Sequence, residues 1–270
     1  MTIDLYVDTS RKGISMAVAT SGQPMNARTM DESARVYEEI VNTEARGEIL
    51  GESLDTLLTR VGATLDDVKR VMVTLGPGSF SGLRTGVAFC QGLCFSGKRE
   101  LYGVTTLQAL ACFAHDAAGI KPAGTAAGNT PAGTVAGKEC AEIAVVIRAR
   151  TGFWYLRLNG EEFFIETPEV IERIKNAKVK AIVADAPAQE DDMLKAFFNS
   201  QGDPRLASAK LSTSRGDDNL GSENDCNRIQ IVSDTGKPLD MWAPLFSTVK
   251  PSLIQEANYI QPSYFEKLKS

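Results

Sequence analysis

The chain has 270 residues, with 29 Lys and Arg against 34 Asp and Glu, a formal net charge of −5. That length buries a substantial core in one or two domains, and no apolar run is long enough to span a membrane. The acidic balance argues against autonomous nucleic-acid binding, which needs a basic field, but leaves room for a place in an RNA-processing assembly whose other members supply positive charge.

In chain order, Ile3–Asp8 (IDLYVD) reads as a first strand and Ser15–Ala19 as a second, with a turn at Arg11–Gly13 between them. The opening segment carries no basic n-region, so no signal peptide is expected. Ala27–Met30 reads as a third strand, which makes the sheet mixed rather than purely parallel. Glu48–Val61 has Leu50, Leu54, Leu57, Leu58 and Val61 at helical spacing, with Gly62 as a stop. Thr64–Asp67 resembles a cap and first turn. Val71–Leu75 is a buried strand, followed by a glycine-rich turn and a helix from Leu83. Leu101–Val104 is a short strand, and Thr105 or Thr106 caps a helix over Leu107–Ala114.

Residues 117–138 are almost all Ala, Gly, Thr and Pro and have little to bury, so a loop is expected there. Strands resume at Glu142–Ile147, Gly152–Leu158 and Glu161–Glu166. Pro168–Asn176 reads as a helix with Pro in its first turn, then come strand Val179–Ala184 and helix Asp191–Phe198. Residues 199–238 are polar, with a short strand at Ile229–Val232. Leu245–Ala257 reads as a helix interrupted at Pro251. This order fits two α/β lobes, residues 1–106 and 107–270.

The run Leu75–Phe89, LGPGSFSGLRTGVAF, carries the most information. A strand that feeds a glycine turn into a helix start leaves backbone N–H groups pointing outward under the positive end of the helix dipole, where a phosphate or carboxylate can sit. The same glycines serve equally for tight turns and for close approach of another backbone, and spacing alone favours that structural role. Neither a phosphate-loop Gly-Lys-Ser/Thr tail nor the dinucleotide fingerprint is present. The five cysteines (Cys90, Cys94, Cys112, Cys140, Cys226) include no C-x-x-C pair, which fits reduced thiols and a cytoplasmic setting. His115 is the only histidine, so a His-x-x-x-His metal pair is excluded and no metal site is expected.

Gly76-Pro77-Gly78-Ser79-Phe80-Ser81-Gly82-Leu83-Arg84-Thr85-Gly86-Val87 closely resembles the G-P-G-S-F-T-G-[LV]-R-x-G signature of the bacterial TsaB (YeaZ) family, with Ser81 in place of Thr. The context agrees: Asp8-Thr9-Ser10 ends the first strand, a helix precedes the motif, and Gly103-Val104-Thr105-Thr106-Leu107-Gln108-Ala109-Leu110-Ala111 follows it. Pro262-Ser263-Tyr264 resembles the family's close. The chain departs from the family pattern at Arg46-Gly47-Glu48, where His-Ser-Glu is common, and at Arg148-Ala149-Arg150, where Asp-Ala-Arg is usual.

The resemblance implies a two-lobed actin/sugar-kinase/Hsp70-like (ASKHA) α/β fold with mixed sheets flanked by helices. It implies a non-catalytic, cytoplasmic subunit that supports a TsaD-type transferase, with a TsaE-type ATPase, in making N6-threonylcarbamoyladenosine at position 37 of tRNAs reading codons that begin with A. The paralogue that does the chemistry needs a histidine pair, which this chain lacks. No cofactor is then expected on the chain alone, with ATP or ADP at the junction with TsaD left open. The tRNA is met only through the complex, and the isolated chain is open to homodimer formation. The partner interface is expected on helix faces bearing Leu50, Leu54, Leu57, Arg84 and Val87, whose other reading is the protein's own core. Asp8, Thr9 and Ser10 read as vestigial nucleotide contacts or as a plain strand-end turn. Arg148 and Arg150 read as solvated or paired. Two alternatives stand beside this reading: an ATP-binding phosphotransferase or acyl-group enzyme of the same superfamily, and a peptidase, against which the lack of a metal-ligand cluster counts.

Overall fold

A computed structural model describes residues 1–11, 13–20, 37–44, 47–117, 143–177, 179–201, 229–233 and 239–260. Contacts divide the chain into two units, one drawn chiefly from Met1–Phe113 and Gly236–Ser270, the other from Gly137–Thr235.

In the first unit, β1 (Ile3–Asp8) pairs antiparallel with β2 (Ile14–Thr20), and β2 pairs antiparallel with β3 (Tyr37–Asn42). On its other side β1 runs parallel to β4 (Val68–Thr74), which runs parallel to β5 (Glu100–Val104). The order is β3-β2-β1-β4-β5. The central strands are apolar on both faces because both faces are covered. Ile3, Leu5, Val7, Met16, Val18, Val71 and Val73 pack against α1 (Leu50–Arg60) and α2 (Phe80–Cys94) through Leu50, Leu54, Leu57, Leu58, Val87, Cys90 and Cys94. The alternate side chains Tyr6, Ala17, Ala19, Met72, Tyr102 and Val104 meet Ala109 of α3 (Thr106–Ala117) and Leu239, Trp242 and Phe246 of a 3₁₀ segment, Leu239–Ser247.

That second face holds a buried ion pair. Asp4 has a 1 % exposed side chain, and the Arg70 guanidinium donates to it twice, Nε to Oδ1 at 2.8 Å and Nη2 to Oδ2 at 2.6 Å. Arg70 also lies 4.1 Å over the Phe246 ring. The 3₁₀ segment is further tied by the Leu239 N–H, which donates to the Tyr37 hydroxyl at 3.1 Å.

In the second unit, β6 (Ile143–Arg150), β7 (Phe153–Leu158) and β8 (Glu161–Glu166) form an antiparallel meander. β6 continues in parallel to β9 (Ala181–Ala184) and β10 (Gln230–Ser233). The order β10-β9-β6-β7-β8 is the first sheet's order again: three meander strands, then two parallel strands beside the first of the three. This repeat is the expected ASKHA-like arrangement of two mixed sheets flanked by helices. Trp154, Leu156, Ile165, Ala144 and Val146 pack on α4 (Thr167–Asn176) and α6 (Asp192–Gln201) through Val170, Ile174, Leu194, Phe197 and Phe198. The buried Trp154 indole N–H donates to the Thr167 hydroxyl at 2.8 Å. A short α5 (Ala186–Glu190), capped by the Asp185 carboxylate, was not legible in the sequence.

Other differences have local causes. The expected strand Ala27–Met30 lies outside the described residues, and the third strand is Tyr37–Asn42. Residues 118–138 and 202–228 also lie outside them. α2 starts at Phe80 rather than Leu83, because the Ser79 hydroxyl accepts the Gly82 N–H at 3.3 Å and caps it. Thr105 caps α3, its Oγ1 accepting the Gln108 N–H (3.0 Å) while Gln108 Oε1 accepts the Thr105 N–H (2.9 Å). The expected helix Leu245–Ala257 does not form. Residues 248–260 are irregular, and their backbone bonds go to neighbouring elements: Ser252 N–H to the Leu101 carbonyl (2.8 Å) and Asn258 N–H to the Leu75 carbonyl (2.6 Å). The boundary drawn at residue 106 assigned this C-terminal segment to the second lobe, whereas its contacts place it with the first sheet.

Candidate functional site

The glycine motif, the end of β1 and the start of α2 form one tightly packed junction in the first unit. The Asp8 carboxylate Oδ1 accepts from the Ser10 N–H (2.9 Å), the Ser10 hydroxyl (2.6 Å) and the Thr74 hydroxyl (2.8 Å). One acid thereby closes the β1 turn and joins it to the end of β4. Thr9 and Ser10 are 1 % and 2 % exposed. The Ser79 N–H donates to the Ser10 carbonyl at 2.6 Å, so the motif loop lies directly on that turn.

The glycines are there for close approach. A Cβ at Gly78 would overlap the Ser10 carbonyl, one at Gly82 the Thr9 carbonyl, and one at Gly86 the Thr9 side chain. Gly76 has φ +105° and faces both Leu83 Cδ1 (2.8 Å from its ideal Cβ) and the Asn258 carbonyl (2.9 Å). The motif therefore seats α2 on the β1 turn and the C-terminal segment on the motif loop. The Thr9 hydroxyl, pressed against Gly86, is buried without a hydrogen-bond partner among the described residues.

The structure brings Asp8, Thr9 and Ser10 together with Gly76, Pro77, Gly78, Ser79 and Gly82. It separates the residues expected at a partner surface. Leu50, Leu54, Leu57 and Val87 are 0–6 % exposed and belong to the unit's own core, because α1 and α2 turn their apolar stripes onto the sheet. Leu54, Leu57 and Val87 present no docking face, and Leu50 reaches only the wall of a groove beside α2. Arg84 is exposed, its guanidinium 4.0 Å over the Phe80 ring. Phe80 is 53 % exposed and packs on Tyr259, with centroids 5.0 Å apart. Ser81 is exposed as well. Beside this cluster lies an open groove of ≈ 670 Å³ lined by Gly47, Glu48, Leu50, Gly51, Arg84, Thr85, Ala88 and Phe89. Gly47, in the 3₁₀ turn Gly47–Ile49 that leads into α1, lies against Thr85 of α2, where any side chain would collide.

Among the described residues no group of three or more His, Cys, Asp or Glu is placed to hold a metal. Burial pushes the Cys90 thiol well up and Cys94 to about 11, so both are un-ionised core fillers at neutral pH.

Residues 41–129 match the family model for TsaD, tRNA N6-adenosine threonylcarbamoyltransferase. The tRNA threonylcarbamoyladenosine biosynthesis protein TsaB of Escherichia coli K12 is 30% identical over 107 residues, which are 40% of this chain and 42% of that protein. The family-model match includes the glycine motif, and the two matches together support a TsaB/YeaZ family assignment. The chain thus aligns with less than half the length of this curated relative. Among solved structures, a Pseudomonas aeruginosa protein described as similar to peptidase YEAZ is 22% identical, with a TM-score of 0.46 and coverage of 68% of this chain and 76% of the other. YeaZ from Pseudomonas aeruginosa is 24% identical, with a TM-score of 0.39 and coverage of 62% and 65%.

Sequence reading alone missed three features of this chain. The Ser79 cap was signalled by a Ser three residues before Gly82. The Phe80–Tyr259 contact had no signal, because it joins residues 179 positions apart (259 − 80). Arg150, read as solvated or paired, is exposed and lies 4.1 Å over the Phe153 ring.

Proposed function

We propose that this chain is a non-catalytic subunit of tRNA threonylcarbamoyladenosine formation, supporting a TsaD-type transferase. The modified base is N6-threonylcarbamoyladenosine at position 37 of tRNAs reading codons that begin with A, and a TsaE-type ATPase joins the pair. The observation that carries the non-catalytic reading is the occupied β1 turn. In a phosphotransferase, an acid at this strand end and its neighbouring hydroxyls would face a nucleotide. Here Asp8 Oδ1 accepts three donors of its own chain, Thr9 and Ser10 are buried, and the motif glycines are filled by close packing. A partner then meets what α1 and α2 leave outside: the groove beside Arg84, Thr85, Ala88 and Phe89, with Phe80 and Tyr259 at its side. Arg84 supplies the cation of that surface. ATP or ADP belongs at the junction with the transferase rather than on this chain alone, and a second copy occupies the groove when the transferase is absent.

Co-purification of the chain with the TsaD-type protein of its own organism tests this reading. Complex formation that Arg84→Glu abolishes is expected, and failure to form a complex with or without ATP overturns it. Nucleoside mass spectrometry after depletion is expected to show loss of the modified adenosine. The competing reading, an ATP-dependent enzyme of the same superfamily, predicts tight Mg-ATP binding by the isolated chain and turnover lost in Asp8→Ala. Calorimetry with Mg-ATP separates the two.

A further inference from the structure

In the described part of this acidic chain, most arginines are matched to acids. Arg60, Arg70, Arg99, Arg157 and Arg173 each lie within 3.8 Å of a carboxylate oxygen. Two exceptions stand together at the β6–β7 turn of the second unit. Arg148 and Arg150 are exposed, and among the described residues neither guanidinium makes an ion pair. Arg148 Nη2 donates only to the Thr151 hydroxyl, at 3.1 Å. Asp185, the acid nearby, accepts the Arg148 backbone N–H instead (2.8 Å) and caps α5.

The aromatic side chains beside them form a pile. The Phe153 and Phe164 rings, on adjacent strands, are stacked with centroids 5.2 Å apart and planes 11° from parallel. The Arg150 guanidinium carbon lies 4.1 Å from the Phe153 ring centroid and 5.7 Å from that of Phe164. Tyr155 continues the row 5.7 Å from Phe164. Both phenylalanines are only half-buried. A stacked ring pair under a guanidinium, next to cations that make no ion pair among the described residues, matches what an unpaired base and its flanking phosphates need. An acidic peptide would use the two guanidiniums but has no use for the stacked rings.

We propose that the β6–β7 turn is an RNA contact, with an unpaired base stacked on the outer face of the Arg150–Phe153–Phe164 pile and phosphates held by Arg148 and Arg150. The choice of a tRNA loop as the RNA rests on the function proposed above; the stacking site does not. One acid opposes binding: Glu166 is directly opposite Phe153 in the β7–β8 register and exposed. The net charge of −5 means that the contact is weak in isolation and works beside a basic partner.

Fluorescence anisotropy of the full chain with a labelled, unmodified 17-nucleotide RNA hairpin bearing a seven-base loop, at low salt, tests the site. Saturable binding is expected. Arg150→Ala and the conservative Phe153→Leu should each weaken it at least about fivefold. Arg148→Ala should lower the salt slope by about one, and Glu166→Gln should tighten binding about twofold. Unchanged thermal midpoints show that the variants are folded. Three results overturn the proposal: no saturable binding, equal binding by Phe153→Leu, or equal binding to a blunt RNA duplex without a loop. If Arg150→Ala abolishes capture of the TsaD-type partner while RNA binding persists, the face is a protein interface and the proposal also falls. The RNA assay needs no partner protein and the capture assay needs no RNA, so failure of either reading is seen separately.

Discussion

Gly82→Ala is expected to destabilise the first unit although it replaces a glycine by the best helix former. Gly82 is in the first turn of α2, three residues after its Ser79 cap. An added Cβ overlaps the Thr9 carbonyl and comes within 3.1 Å of Ser79 Oγ and 3.3 Å of Ser79 Cβ. The main obstacle is backbone, fixed by the Ser79 N–H bond to Ser10 and by the donors on Asp8, so it cannot rotate away. Overpacking of this kind costs about 1–3 kcal/mol, and the helical preference of Ala offsets at most about 1 kcal/mol. With the obstacle immovable, the net loss is about 1–2 kcal/mol, a fall of about 2–8 °C in Tm for a unit of this size. Gly92, on the same helix and exposed, has nothing within 4 Å of an added Cβ. Gly92→Ala should therefore stabilise, by up to about 1 kcal/mol. Scanning calorimetry of both variants reads the contrast. A Gly82→Ala midpoint at or above wild type, or equal losses for the two, refutes the assignment of the motif glycines to close packing.

Thr9→Val removes the buried hydroxyl that lacks a partner among the described residues and keeps the shape, so stability in urea denaturation should be unchanged or raised by up to about 1 kcal/mol, and a loss of about 1 kcal/mol or more would mean the hydroxyl is bonded. Arg70→Ala leaves the buried Asp4 carboxylate without its double donor and Phe246 without its cation; a loss of about 2–4 kcal/mol is expected in urea denaturation, and a loss under about 1 kcal/mol would show that water or another group replaces Arg70. Burial, with the Glu100 carboxylate accepting its hydroxyl, pushes Tyr102 up to about 12. A phenol whose folded pKa exceeds the unfolded value of about 10 stabilises fully below pH 10 and loses that contribution as pH rises toward 12. Absorbance titration should show a tyrosine ionising near 12 that shifts toward 10 on unfolding, and Tyr102→Phe should flatten the stability loss between those pH values. Glu39, raised by burial although Tyr37 donates to it at 2.7 Å, favours the fold below its unfolded pKa and loses that advantage as pH rises. Glu39→Gln should therefore leave stability at pH 7 unchanged or higher, and a clear loss there would refute the sign.

Local pattern was enough for the strand–turn–helix around the motif, the leucine stripe of α1, the β6–β8 meander and the Pro-started α4. Each is dictated by residues within one or two turns of one another: apolar period, caps, and glycine or proline at breaks. The glycine motif was also readable directly and carried the family resemblance, while the single histidine carried the expectation of no metal site. The sequence could not say what each glycine faces, because Gly78 and Gly82 meet a turn about seventy residues earlier in the chain. Nor could it divide an amphipathic stripe between core and partner; the sheet decided that, burying Leu50, Leu54, Leu57 and Val87 and leaving Arg84 outside. The C-terminal segment has enough apolar residues for a helix, yet its N–H groups find the Leu75 and Leu101 carbonyls instead. Periodicity records the local conformation a chain prefers, while the choice among partners for a buried face or a free backbone donor depends on which distant residues the fold brings within a few ångströms.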